Sequence, residues 1–311
     1  MMRKLIIALV GAISLIGCSH TVAQLDVPTV LVQGGTFTMG AKGEKDAPPH
    51  TVRLSSFYIA KYDITVAQWD TYLKWDHIAA NSMEGETYTL EGTITKVSPY
   101  PTSPIQGVSW YQAIGFCNWL SRVNGLKQVY KISDVKRVQD SYLNPNTGKR
   151  VYQSSYHLEE NVTWNHNANG YRLPTEAEWE FAARGGNESH GYVYAGSNDF
   201  NEVGWDIANS GGYAHPVGQK KPNELGLYDM SGDVSQWCWD WYSADYYLRS
   251  PLENPKGPNN PTYVQTPGGL FLSKVARGAD WYYAHPVPIT QRDSGGPSSH
   301  GVGIRVARNA K

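Results

Sequence analysis

From about residue 190 onward the chain offers almost no periodic run of apolar side chains; glycine, proline, asparagine and tryptophan take their place. Such a stretch cannot bury itself as long helices or broad strands, because both need apolar residues at spacings near 3.6 or 2. It must be held by large side chains plugged into a helix and strand layer built elsewhere, and the spacing of Trp205, Trp237, Trp239 and Trp241 suits that purpose. The chain has 11 Trp and 21 Tyr against 6 Phe. Both residues bury a broad apolar body while their polar atom finds a partner, and both dominate binding hot spots. Composition leaves these two uses open. Within this region short strands are predicted only at Tyr213 to Val217, Val275 to Arg277 and Ile304 to Ala307.

The layer itself is legible further upstream. Val30 to Met39 reads as a strand, with Gly34, Gly35 and Gly40 punctuating it, and Thr51 to Leu54 with Phe57 to Ile59 as a second strand or hairpin. Three helices open with a hydroxyl residue followed three places on by Gln or Glu: Thr65 with Gln68, Ser109 with Gln112, and Thr175 with Glu178. Ala113, Phe116, Cys117 and Leu120 form an i, i+3, i+4, i+7 stripe on the second. On the third, Glu180 and Arg184 read as a surface i, i+4 pair. All three are short, so packing and not intrinsic helicity must stabilise them. Polar stretches near 80–104 and 128–168 read as exposed hairpins inserted into one domain spanning 29–311.

Met1-Met2-Arg3-Lys4 followed by apolar Leu5 to Ile16 is a targeting segment, too short for the roughly 20 apolar residues that span a bilayer. It ends in Leu15-Ile16-Gly17-Cys18, which looks like a bacterial lipobox. Residues 1–17 are therefore expected to be a lipoprotein signal peptide, Cys18 the lipidation site and 18–28 a lipidated tether, since several acyl chains on one residue give a stable anchor. That places the protein on a membrane through its lipid, at the bacterial outer membrane and on the cell surface. With 27 basic and 28 acidic side chains it has no basic field to attract phosphate backbones, which excludes nucleic acid as a partner. Cys117 and Cys238 could pair in an oxidising compartment, but core-like surroundings favour two buried thiols. No metal site is expected, because structural zinc needs four closely spaced ligands.

Gly35-Thr36-Phe37-Thr38-Met39-Gly40, Val108-Ser109-Trp110, Asn118-Trp119-Leu120, Tyr171-Arg172-Leu173-Pro174-Thr175-Glu176, Gly226-Leu227-Tyr228-Asp229-Met230-Ser231-Gly232-Asp233-Val234 and Gly303-Ile304-Arg305 resemble, in order, the motifs of the formylglycine-generating-enzyme, or sulfatase-modifying-factor, family. The resemblance implies an α+β class and a C-type lectin-like fold: a small twisted antiparallel sheet, flanking helices and extensive loops. The family's enzymes oxidise a client cysteine with two cysteines of their own in the C-terminal segment. Here that segment, Tyr282 to Arg292, holds none, so the thiolate that thiol or copper chemistry needs is missing. No catalytic residue is assigned. Family members also hold structural calcium near the positions of Asp233 and Gln236; glutamine in place of glutamate weakens that expectation, and no other cofactor is implied.

Arg277-Gly278 and Trp281 before the segment, and Gly303-Ile304-Arg305-Val306 after it, resemble the frame around the variable cassette of retroelement-diversified surface lipoproteins of the Treponema type. The region 277–306 is accordingly expected to vary. Asp280, Tyr282, Tyr283, His285, Pro286, Ile289 and Thr290 are expected to form a ligand-binding surface with Asp293, Ser294, Ser298, Ser299 and His300. Rigid aromatics mixed with small hydroxyl groups give contact area at low entropy cost. Trp281 and Arg292 read as support, the indole anchoring the loop and the guanidinium tying loop carbonyls. The function implied is non-enzymatic recognition of a protein or glycan on another cell or host, by a monomer. A structural lipoprotein of a secretion or motility machine, and an oxidase with altered chemistry, are the competing readings.

Overall fold

The computed structural model describes residues 24–75, 96–143, 147, 149–260, 263–266, 269–295 and 301–310. Residues 1–23, with Cys18, and most of the polar stretch near 80–104 lie outside them. All three capping boxes form. Thr65 Oγ1 accepts from the Gln68 N–H at 3.3 Å and Gln68 Oε1 from the Thr65 N–H at 3.0 Å, opening α1 (Val66–Trp75). Ser109 and Gln112 repeat this for α2 (Trp110–Val123), and Thr175 and Glu178 for α3 (Glu176–Ala183). The α2 stripe Ala113, Phe116, Cys117 and Leu120 is fully buried. Helix α3 is buried at every position, and here the expectation of a surface pair fails. Arg184 does meet Glu180 at 2.9 Å, but Glu180 is wholly buried, because its carboxylate also serves partners from the far end of the chain.

The stretch read as one strand, Val30 to Met39, is two: β1 (Thr29–Val32) and β2 (Gly35–Met39). They part at Gly34, where a Cβ would lie 2.5 Å from the Leu54 carbonyl oxygen. Strand β3 (His50–Leu54) pairs with β2, and β4 (Phe57–Ala60) with β1, both antiparallel. The second polar insertion contains a long antiparallel hairpin of β5 (Tyr130–Leu143) and β6 (Arg150–Trp164). Next come the two-residue β7 (Gly204–Trp205) and β8 (Ser231–Gly232), paired in parallel. Strand β9 (Ser235–Trp241) precedes a hairpin of β10 (Tyr263–Thr266) and β11 (Gly269–Leu272) on the edge of β5. Strands β12 (Lys274–Arg277), β13 (Asp293–Gly295) and β14 (Val302–Gly303) join β9 in the order β13-β12-β9-β14, and β15 (Ala307–Asn309) closes onto β4. Tyr213 to Val217, predicted as a strand, is irregular. Its backbone groups bond outward, the Ala214 N–H to the Val97 carbonyl and the His215 N–H to Asp233 Oδ1.

The plugging role of the tryptophans holds along β9. Trp237 is fully buried and donates its indole N–H to the Val108 carbonyl at 2.8 Å. Trp239 stacks on Tyr130 at 5.3 Å on the same face of the strand. The alternate face sends Gln236, Cys238 and Asp240, all buried, toward α3. Cys117 and Cys238 are buried free thiols, and burial pushes both well above the usual thiol range.

Candidate functional site

Strand β12 ends at Arg277 and β13 begins at Asp293; the segment between them is clamped at both ends onto α3. At the entry, Arg277 donates to Glu176 Oε1 at 3.1 Å and to Glu180 Oε2 at 2.8 Å, with its guanidinium 4.9 Å over the Trp179 ring. At the exit, Arg292 donates through Nε to Glu176 Oε1 at 2.6 Å and through Nη2 to Glu176 Oε2 at 3.0 Å. Its Nη1 takes the carbonyls of Asp46 at 2.7 Å and Ser243 at 3.1 Å. Burial pushes the Glu176 carboxyl up, but Arg292 and Arg277 outweigh it and hold the group below the usual carboxylate range. Arg277 also donates to the Ile289 carbonyl at 2.5 Å, which pulls the middle of the segment down onto the helix.

Between the clamps the chain turns through Gly278 and Ala279, both in the left-handed region, φ 98° and 61°. A side chain in that conformation costs about 1–2 kcal/mol, so the hydrogen bonds around the turn must over-determine it. The Gly232 N–H donates to the Gly278 carbonyl at 2.7 Å, and the Trp281 N–H to the Asp233 carbonyl at 2.9 Å. The Trp281 indole N–H donates to Gln106 Oε1 at 3.0 Å. Asp280 Oδ1 accepts the Tyr282 N–H at 2.8 Å. Burial, with Asp293 adding to it, pushes Asp280 up to about 6. Gly301 is required beside it, since a Cβ there would lie 2.1 Å from Asp280 Oδ2. The Tyr283 hydroxyl donates to Asp293 Oδ2 at 2.5 Å.

The residues singled out in the sequence therefore separate into layers. Tyr282, 66% exposed, stands out with His285 and Pro286 on the surface. Asp280, Tyr283, Asp293 and Ser294 are half-buried beneath them, and Trp281 is half-buried as a support. Ile289 and Thr290 point inward and are 4% and 7% exposed, so neither side chain is presented to a ligand. The Ile289 N–H is bonded to the Val193 carbonyl, which draws the returning chain under the surface. Ser298, Ser299, His300 and Cys18 lie outside the described residues. Two neighbours carry no sequence signal. Ile207 is 46% exposed and its N–H donates to the Tyr283 carbonyl; Val193, 47% exposed, meets the other side of the loop. Each is a lone apolar residue in an irregular stretch, brought to the rim by one backbone hydrogen bond.

Beneath the rim lie three buried aspartates. Burial pushes Asp63 up to about 8 and Asp229 up to about 6, with Arg305 opposing it in both cases. Burial reinforced by Asp229 pushes Asp233 well up, and Asp233 Oδ2 has no hydrogen-bond partner among the described residues. Gln236 is saturated. Its Oε1 accepts from Trp179 Nε1 at 2.7 Å and Arg305 Nε at 2.9 Å, and its Nε2 donates to the Asp229 carbonyl at 2.8 Å. With both lone pairs taken by N–H donors, that oxygen has none left for a cation. Among the described residues no three His, Cys, Asp or Glu side chains converge as metal ligands. The residues present do not fit calcium here.

These carboxyls bind their protons more tightly in the folded chain than unfolded, where values near 4 apply. Their stabilising contribution is complete below about pH 4 and is lost as pH rises through the folded values. Unfolding free energy is thus expected to fall by at least about 1 kcal/mol between about pH 5 and pH 8.5. Asp233→Asn keeps the acceptor for the His215 N–H and removes one of the titrating carboxyls, so it is expected to flatten this dependence. Urea titrations across that range measure both.

Comparison with known proteins agrees with this geometry. A family model described as a sulfatase-modifying factor enzyme 1-like domain matches residues 19–310. The chain is 35% identical over 296 residues to the chaperone protein LppX of Paenibacillus barcinonensis, covering 88% of this chain and 90% of that one. It is 28% identical over 275 residues to the formylglycine-generating enzyme of Thermomonospora curvata, covering 78% of this chain and 82% of that enzyme. Among solved structures, Treponema denticola variable protein 1 superposes with a TM-score of 0.66 at 28% identity, over 93% of this chain and 97% of that one. CarF superposes at 0.61 and 24% identity over 92% and 99%, a likeness of fold.

Proposed function

The chain belongs to the sulfatase-modifying factor enzyme 1-like family and has its α+β, C-type lectin-like fold, and from that premise we propose that it is a non-enzymatic binding protein. Its lipid anchor at Cys18 would display it on the cell surface, and it would take a macromolecular ligand on the rim formed by the segment 278–293. The observation that carries this reading is the double clamp. Arg277 and Arg292 fix the ends of the segment on buried Glu176 and Glu180, while Tyr282, His285 and Pro286 are exposed between them, Tyr282 resting edge-on against Trp281 at 5.5 Å. A platform that holds the main chain by its two ends can accept different side chains between them. Val193 and Ile207 would supply a constant apolar margin. Two buried thiols that resist ionisation support the absence of the family's oxidative chemistry, because the thiolate is the reactive form.

The relative named a variable protein supports exchange of residues at this place. Comparing the gene among isolates is expected to show substitutions concentrated within 280–302, with Arg277, Trp281, Ile289 and Arg292 constant. An even spread over the body of the chain, or formation of an aldehyde on a cysteine-bearing sulfatase peptide, contradicts the proposal. A second reading follows from the 35% identical relative named a chaperone. On that reading the same apolar rim receives a client polypeptide, and the residues around Tyr282 stay invariant among isolates.

A further inference from the structure

Away from this rim, residues between Tyr246 and Asn260 enclose an open cleft of about 560 Å³. No aspartate or glutamate is among its described lining residues; Arg249 and Lys256 are its charged members. Arg249 is partly neutralised by Asp245, which pairs with it from outside the wall. Lys256 differs. Its ammonium lies 5.3 Å over the Trp164 ring and 3.2 Å from His166 Nδ1, and among the described residues no carboxylate answers it. Burial, with Lys256 next, lowers the His166 pKa, so the imidazole stays neutral and accepts from the lysine. Lys256 is thus a half-buried charge at the cleft with no carboxylate partner among the described residues.

Asn259 and Asn260 are exposed at the same cleft, and neither amide has a hydrogen-bond partner among the described residues. Asn254, by contrast, is committed: its Oδ1 accepts the Ser55 N–H at 2.8 Å and ties the wall to the turn before β4. The cleft thus combines fixed cations, free amides and the ring of Pro251. An inorganic anion would leave most of it empty, since pockets of about 300–1,000 Å³ hold larger organic ligands. We propose that this cleft binds a carboxylate-bearing saccharide unit, its anion on Lys256 and Arg249 and its hydroxyl groups on Asn259 and Asn260. The site does not depend on the reading of the rim.

Calorimetric titration of the full chain with sialyllactose, lactose and inorganic phosphate tests this, alongside a Lys256→Ala, Arg249→Ala double variant and Tyr282→Ala as the rim control. Saturable binding of sialyllactose is expected, at least about tenfold tighter than lactose and weakened about tenfold in the double variant, which is about 1.4 kcal/mol in each case. Tyr282→Ala should leave it unchanged. Circular dichroism matching the parent shows that the double variant is folded. The proposal is overturned by equal affinity for lactose, by an unaffected double variant, by the absence of saturable binding, by loss of binding in Tyr282→Ala, or by phosphate competing as well as the sugar.

Discussion

Glu176→Ala is expected to lower the unfolding free energy by about 3–5 kcal/mol, because removing one partner of a buried ion pair strands the other. Here one partner is stranded and a second is left with a single carboxylate. Arg277 keeps Glu180 at 2.8 Å, but Arg292 loses its only carboxylate among the described residues and retains the carbonyls of Asp46 and Ser243. The loss should therefore be felt most at the exit of the segment. Proteolysis of the folded variant should cut between Tyr282 and Thr290 faster than in the parent. Equilibrium urea unfolding gives the energy, and a cost below about 1 kcal/mol would mean that the clamp does not hold the segment.

The second large effect separates two residues seven positions apart. Ile289→Ala is expected to cost about 2–4 kcal/mol, the usual range for emptying a buried aliphatic site, because its side chain packs in the core with Phe57, Trp179 and Val275. Tyr282→Ala, at a ring 66% exposed, should change stability by no more than about 0.5 kcal/mol. If Tyr282 is a hot spot, the same substitution should remove about 2 kcal/mol or more from ligand binding. Stability and binding would then be carried by different residues of one short loop.

Local chemistry was the legible part of the sequence. Each capping box needs two residues three apart, and all three formed as read. The spacing of the β9 tryptophans pointed to plugging side chains, but only Trp237 is fully buried, and the opposite face with Gln236, Cys238 and Asp240 is the more buried one. What failed depended on partners far along the chain. Glu180 looked like a surface residue because its visible neighbour was Arg184, whereas its burial is decided by Arg277, 97 residues later. Ile289 and Thr290 looked like contacts because they fall in the segment between the family's framing motifs, and a backbone bond to Val193 turns them inward. Tyr213 to Val217 alternated like a strand, but its donors were claimed by Val97 and Asp233. Val193 and Ile207 had no periodicity to reveal them.

Whether the rim is independent of its platform is measured most directly by exchanging Tyr282, Ala284, His285 and Pro286 together for random residues and counting the fraction of variants that resist protease as the parent does. A matched library at Ile289, Thr290 and Arg292 provides the scale. Most of the first library should remain folded and most of the second should not. Equal losses in the two would show that the exposed residues are part of what holds the loop, and the display surface proposed for this protein would not stand.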